Sequence, residues 1–186
     1  NKHVYCEKPL APTLNETQEM VEASKRTNKK TQVGFNYLSN PMFSTAREII
    51  SSGDLGEITS FRGIHAEDYM SDPKSPYTWR HEPVGGGVLA DLGSHILATA
   101  EYLLGPIKQV MGDCTTVIKK RKTSDNKSKK INIDDISRCF IRFKSGASGS
   151  IEANWLATGC KMKHDFEIYG TKGSIKFSQE LSLIHI

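Results

Sequence analysis

The fold is constrained first by the opening of the chain, where a single strand–helix–strand unit occupies residues 1–38. His3–Cys6 reads as the end of a short buried strand running into Glu7-Lys8-Pro9. A helix over about Leu14–Arg26 follows. Thr13 can cap it, and Glu16 three residues later completes a capping box. Leu14, Thr17, Met20, Val21 and Ser24 fall at helical spacing and are expected to form a narrow buried face. Thr31–Phe35 is a second short strand, ending at Gly34-Phe35-Asn36-Tyr37. Strand, helix and strand in so short a span make one crossover unit of a parallel sheet, and that is too little to be a complete sheet. The chain opens without an initiator Met or a signal-peptide layout, so the expectation is a processed chain or an N-terminus lying upstream.

The pattern changes after Asn40-Pro41. Pro41 suits a first helical position, and Phe43, Ala46, Ile49 and Ile50 make a helical stripe that stops at Ser52-Gly53-Asp54-Leu55-Gly56. Ile58–His65 is strand-like, and Asp68–Pro83 is an irregular loop carrying Trp79 and Arg80. Gly85-Gly86-Gly87 precedes the longest helix, predicted over Val88–Leu104 and closed by Gly105-Pro106. Extended segments follow near Ile107–Ile118, Ile136–Phe143, Ala147–Trp155, Asp165–Tyr169 and Ser174–Phe177, with Lys144-Ser145-Gly146 as a hairpin turn. A helix pair and then a run of largely antiparallel strands indicate an α+β domain over residues 39–180. Leu181–Ile186 matches a translated sequencing-adapter end and is expected to be an artefact, so His185 is set aside.

Composition narrows the class. Hydrophobic residues at 37% and charged residues at 25% describe an ordinary globular chain. No apolar run approaches the roughly 20 residues that a membrane-spanning helix needs. Cys6, Cys114, Cys139 and Cys160 lie far apart with no Cys-x-x-Cys pair. That spacing speaks against a zinc site and gives no disulfide framework. Reduced thiols in a cytoplasmic protein with no metal are the expectation. Much of the net charge of +4 sits in Lys119-Lys120-Arg121-Lys122 and Lys127-Ser128-Lys129-Lys130. A basic run can bind nucleic acid, but this one has no interleaved aromatics and lies between strand-like segments. A solvated hairpin loop is expected.

Two places carry chemistry. Asp91 and His95 are four apart on the predicted long helix and should share a face, where the carboxylate can orient the imidazole and favour its charged form. A His held by a rigid helix can take a proton from a substrate hydroxyl. A surface ion pair would look the same in sequence. The helix is apolar on most sides, however, and buried Asp and His are costly unless used. The triple glycine lets backbone approach something closely. Lys8 follows a strand directly, where open parallel sheets place ligands, and its ammonium can stabilise developing negative charge. A loop Lys paired with Glu7 is the alternative. Pro9 holds Lys8 extended and can be cis.

Lys2-His3-Val4-Tyr5-Cys6-Glu7-Lys8-Pro9-Leu10-Ala11 and Gly85-Gly86-Gly87-Val88-Leu89-Ala90-Asp91-Leu92-Gly93-Ser94-His95 resemble the two signatures of the glucose–fructose oxidoreductase/inositol dehydrogenase family. Gln32–Tyr37, Asn40-Pro41, Ser52–Ile58 and Gly170–Ser174 resemble further family segments, in the expected order. The resemblance implies that residues 1–38 end a Rossmann dinucleotide-binding domain, and that a substrate and oligomerisation domain with an open sheet follows. The implied cofactor is NAD or NADP. Lys8, Asp91 and His95 match the catalytic residues: Lys8 contacts the reacting hydroxyl, Asp91 binds substrate and His95 is the general base. Glu7, Lys8 and Pro9 match the lining of the cofactor cleft, and Trp79 and Arg80 a loop at its nicotinamide end.

The implied substrate is a sugar or polyol bound by Lys8, Tyr37, Asp91 and His95. Relatives acting on inositols or anhydrosugars are nearest in the segment Ala66–Met70. His65, Glu67, Asp68 and Tyr69 should face the cleft, and Leu38 stands where relatives often carry Arg. A homo-oligomer, dimer or tetramer, is implied, with no membrane or nucleic-acid partner. The sequence contains no Gly-x-Gly-x-x-Gly turn, so the 186-residue piece is expected to bind the dinucleotide weakly and to turn nothing over. The alternative is a non-catalytic sugar-binding or regulatory relative, against which the presence of Lys8, Asp91 and His95 together argues.

Overall fold

The computed structural model describes residues 2–181 and 183–185. β1 (Val4–Glu7) and β2 (Thr31–Gly34) pair in parallel, with Val4 opposite Thr31 and Glu7 opposite Gly34. α1 (Leu14–Thr27) connects them. Its N-terminus is the expected capping box: Glu16 N donates to Thr13 Oγ1, and Thr13 N donates to Glu16 Oε2 at 3.1 Å. Two expectations of burial are overturned here. No residue of α1 is buried, Leu14 is 71% exposed, and Val4 of β1 is 50% exposed. Two strands and one helix cannot cover one another's apolar faces, so the stripe read as a core face stays open in this chain.

α2 (Pro41–Ser52) starts at Asn40, whose side chain accepts from Met42 N, and stops at Gly53, which takes a positive φ of 81°. It packs with α3 (Ser94–Leu104) against a seven-stranded sheet. The strands are β3 (Ile58–Ala66), β4 (Ile107–Thr115), β7 (Ile136–Phe143), β8 (Ser148–Asn154), β9 (Lys163–Gly170), β10 (Ser174–Ser178) and β11 (Leu183–His185). Their spatial order is β11-β10-β9-β3-β8-β7-β4. Only β3 and β8 run parallel, so the sheet is largely antiparallel as expected. β11 pairs with β10, while Asn1, Ser182 and Ile186 lie outside the described residues, and with the last two goes part of the expectation about the tail.

Phe43, Ala46, Phe61, Ile96, Ala100, Phe143, Phe166 and Phe177 form the core between the helices and one sheet face. Each such aromatic side chain stabilises by about 1.5–3 kcal/mol on burial. The other face is open, with Val110, Met111 and Phe140 exposed. A smaller core gathers Met70, Val88, Leu92, Ile131, Ile133 and Trp155 under the ends of β3 and β8. There Asp135, fully buried, accepts from Val117 N, Ile118 N and Trp155 Nε1. The basic run is an antiparallel hairpin of β5 (Lys120–Lys122) and β6 (Ser128–Lys130), with its lysines in solvent.

The long helix is not one α-helix. Leu89–Gly93 is a π-helical turn, and α3 begins only at Ser94. Asp134, far along the chain, fixes its start by accepting from Leu89 N through Oδ2 and from Val88 N through its carbonyl. A Cβ on Gly93 would come within 2.8 Å of Leu89 Cδ1, so the glycine makes room for the side chain that the widened turn folds over it. Periodicity cannot show an inserted residue of this kind, because the apolar stripe continues through it.

Candidate active site

Asp91, on the π-helical turn, is the hub. Lys8, just beyond the end of β1, donates from Nζ to Asp91 Oδ1 at 2.6 Å and to the Asp91 carbonyl at 2.8 Å. Tyr69 Oη and Arg80 Nε both donate to Oδ2, each at 2.8 Å. The Lys8 and Asp91 side chains are only 16% and 11% exposed. Burial pushes the Asp91 carboxyl up, but the hydrogen bonds from Lys8, Tyr69 and Arg80 and the Lys8 charge prevail and hold it below the usual carboxylate value. Burial first, then the charge of Asp91, raises the Tyr69 phenol well above its ordinary range, so it stays a donor.

The triple glycine packs closely against the protein's own backbone and side chains. A Cβ on Gly86 would lie 2.3 Å from the Glu82 carbonyl and 2.5 Å from that of Arg80. Gly87, at φ 97°, donates its N–H to the Arg80 carbonyl at 2.9 Å. A side chain on Gly86 would push the Trp79–His81 turn away and take Arg80 off Asp91, and one on Gly87 would strike the Asp134 carboxylate.

His95 opens the first turn of α3 among other rings. Tyr37 meets its edge at a centroid distance of 4.7 Å and Phe35 at 5.8 Å. Tyr37 also stacks on His164 at 4.6 Å and meets the edge of His65 at 5.2 Å. His65 and His164 are cross-strand partners on β3 and β9 and are fully buried. Thr99 Oγ1 donates to the His95 carbonyl at 3.0 Å. A hydroxyl has one proton, so toward His164 Nε2, 2.9 Å away, Thr99 accepts. His164 Nδ1 and His95 Nδ1 have no hydrogen-bond partner among the described residues.

The expected Asp91–His95 partnership is therefore corrected. The Asp91 oxygens are taken by Lys8, Tyr69 and Arg80, and His95 stands among aromatic rings. Burial first, then the charges of Lys8 and His65, push His95 down to about 3, with Asp91 opposing. Its neutral form is favoured, not its charged one.

Lys8, Arg80 and Asp91 thus meet directly, and Tyr37 packs on His95. Glu7 and Pro9 flank Lys8 at the end of β1, and both are exposed. Trp79 is 57% exposed, and the Arg80 guanidinium lies 4.4 Å over its ring. Glu67 reaches His65 Nε2 at 3.2 Å. Asp68 does not join them. Its carboxylate accepts instead from Lys161 Nζ at 2.7 Å and from Gly159 N at 3.1 Å. His164 and Thr99 escaped notice in the sequence, since nothing local distinguishes a His at a strand end or a Thr in an apolar helix. Among the described residues no group of three His, Cys, Asp or Glu could hold a metal ion, and no helix is long and apolar enough to cross a membrane.

Residues 43–176, more than half of the chain, match the family model of the GFO/IDH/MocA C-terminal domain. The chain belongs to the GFO/IDH/MocA oxidoreductase family. Residues 1–35 match the NAD-binding Rossmann fold of the same oxidoreductases. The levoglucosan dehydrogenase of Pseudarthrobacter phenanthrenivorans is 37% identical over 194 residues, which span 96% of this chain and 50% of that enzyme. An NAD binding oxidoreductase from Klebsiella pneumoniae superposes with a TM-score of 0.94 at 39% identity, over 97% of this chain and 49% of that one. A levoglucosan dehydrogenase in complex with NADH and levoglucosan superposes with a TM-score of 0.91 at 39% identity, over 96% and 48%. The chain spans about half the length of the relatives it matches. In this GFO/IDH/MocA chain, the Lys8–Asp91 contact joins the part matching the Rossmann domain to the part matching the C-terminal domain.

Proposed function

We propose that this chain carries the reacting centre of an NAD-dependent dehydrogenase for a sugar or polyol, with Lys8, Asp91 and His95 at the reacting carbon. The observation that carries this reading is the Lys8–Asp91 pair, an ammonium and a carboxylate nearly out of water at the end of a parallel strand, beside a neutral imidazole. Lys8 Nζ, held by Asp91, donates to the oxygen of the reacting C–OH and stabilises the charge that grows there. The His95 imidazole takes the hydroxyl proton. Tyr37 holds the His95 ring and forms a wall of the substrate pocket.

Nicotinamide, when bound, would supply the redox chemistry by accepting the hydride from the same carbon. The alcohol loses two electrons and two protons' worth of hydrogen, one as hydride and one as the proton on His95. Glu7, Lys8 and Pro9, with Trp79 and Arg80, would line the nicotinamide end. The fit is in the exposed Trp79 ring, capped by an Arg80 that also grips Asp91 beside Lys8.

A 1,6-anhydrosugar such as levoglucosan, or an inositol, is the substrate class we favour. A relative named for levoglucosan is 37% identical, and one named for myo-inositol is 28% identical. The test is NADH formation by the full-length enzyme with NAD+ and levoglucosan or myo-inositol, in wild type and in Asp91→Asn. Turnover of a sugar or polyol that drops at least tenfold in Asp91→Asn is expected. No turnover of any sugar or polyol, or an unaffected variant, would overturn the assignment.

A further inference from the structure

Within the basic run, Arg121 behaves unlike its neighbours. Lys119, Lys120, Lys122, Lys127, Lys129 and Lys130 are exposed, whereas Arg121 is 2% exposed. Its guanidinium meets three backbone carbonyls and no carboxylate. Nη2 donates to Met70 O at 2.6 Å, and Nη1 donates to Asp72 O at 2.8 Å and to Ser75 O at 3.1 Å. The carboxylates of Asp135 and Asp72 favour its charge only from beyond ion-pairing distance, so a cation buried on carbonyls is an expensive way to fill the root of a hairpin, and an apolar side chain would cost less. What Arg supplies is a rigid fork of donors that gathers several carbonyls of one turn at once.

Those carbonyls belong to the segment between the two residues that grip Asp91 from the loop side. Tyr69 immediately precedes Met70, and Arg80 follows five residues after Ser75. The hairpin fastens the same segment again further on. Tyr77 N donates to Lys122 O at 2.7 Å, Lys129 Nζ lies 4.0 Å over the Tyr77 ring, and Lys129 also reaches Glu82 at 3.2 Å. Tyr77 Oη donates to the His81 carbonyl at 2.9 Å, which ties this wall to the turn bearing Arg80. The loop is thus clamped from outside by the hairpin and bound from inside by one Asp91 oxygen.

We propose that Arg121 is a positioning residue of the dehydrogenase: its fork holds residues 70–75 so that Tyr69 and Arg80 stay on Asp91 and keep Lys8 aimed at the substrate. This rests on the function proposed above. It gives the hairpin a task other than solvation, since the one member of the run that leaves solvent is the one that organises the site's wall.

The test compares full-length wild type with Arg121→Gln, Arg121→Lys, Tyr69→Phe and the Arg121→Gln/Tyr69→Phe double variant. The readouts are kcat and KM for levoglucosan or myo-inositol, NADH affinity by fluorescence, and Tm. Arg121→Gln should lower kcat/KM by about 10- to 100-fold, the size expected from misplacing a catalytic constellation by about an ångström. NADH affinity should fall less than kcat/KM, since of the cofactor's lining only Trp79 and Arg80 belong to the loop that Arg121 holds. Arg121→Lys should recover part of the loss, because an ammonium still holds some of the carbonyls. The double variant should lose less than the product of the two single losses, since both act through Asp91. A fall in Tm with kcat/KM unchanged, or losses that simply multiply, overturns the proposal. Backbone hydrogen exchange of residues 68–80 tests Arg121 independently of turnover. Selective acceleration there in Arg121→Gln or Arg121→Lys is expected, and exchange equal to wild type overturns it. If the wild type turns over no sugar or polyol, it is the function above that fails.

Discussion

Lys8 and Asp91, 83 residues apart, are joined twice: Lys8 Nζ donates to the carboxylate at 2.6 Å and to the same residue's carbonyl at 2.8 Å. The double contact fixes the ammonium in position, and the carboxylate balances its charge. Lys8→Met in the full-length enzyme should therefore lower kcat by about 10²–10³-fold, the usual cost of losing one preorganised donor to a developing oxyanion. Initial rates of NADH formation measure it. A loss under threefold would show that Lys8 only braces Asp91.

His95→Ala should lower kcat by about 10²-fold, the lower end of what a general base supplies, because a ring pushed down to about 3 binds a proton weakly. With its value pushed down to about 3, His95 is already deprotonated at neutral pH, and a base works in its deprotonated form. Lowering the pH from 8 to 5 should therefore produce no loss of kcat/KM that disappears in His95→Ala. An acid limb centred near 6.5, present in wild type and absent from the variant, contradicts this environment for the ring.

Acid should unfold the protein. His95 and His164 are lowered from the usual 6.5, and His81 is lowered as well, burial being the first cause for all three. The unfolded chain then binds more protons than the folded one at pH values below about 6.5, so stability is complete above that pH and falls steadily toward pH 3. Thermal melts of the full-length enzyme between pH 7 and pH 4 should show Tm dropping. In His164→Phe the slope of Tm against pH should be shallower. An unchanged slope removes His164 from this account.

Asp135 is a separate hold on the fold. Asp135→Ala leaves the Trp155 indole N–H without an acceptor inside the smaller core, and Val117 N and Ile118 N without one at its edge. Unsatisfied buried donors cost about 1–3 kcal/mol each. Urea unfolding should show a loss of about 3 kcal/mol or more. Asp135→Asn keeps one acceptor oxygen and should lose less. Equal effects of the two substitutions would argue against this bonding.

Much of the fold was readable because it rests on local signals. The Thr13–Glu16 capping box, Asn40-Pro41 ahead of α2, Gly53 behind it and the alternation of β7 to β10 need only short windows of sequence. The expectations that failed were those requiring a neighbour. The apolar face of α1 is real in sequence, but the described residues leave none of it buried. The π-helical turn at Leu89–Gly93 is set by Asp134 and by Gly93 making way for Leu89, neither of which alters the periodicity of the stripe. Asp68 had the right residue type and location for the cleft, yet Lys161 drew it away.

The site divides in the same way. Sequence alone determined which residue types were available at Lys8, Arg80, Asp91 and His95, and that glycines let backbone pass close beside them. Only the tertiary structure decided who meets whom: Asp91 turns to Lys8, Tyr69 and Arg80 instead of to His95, and His95 is kept neutral among Tyr37, Phe35 and two buried histidines. The physical reason is range. Capping, turn chemistry and periodicity act over a few residues, whereas ion pairing and burial depend on distances between segments that the chain brings together only on folding.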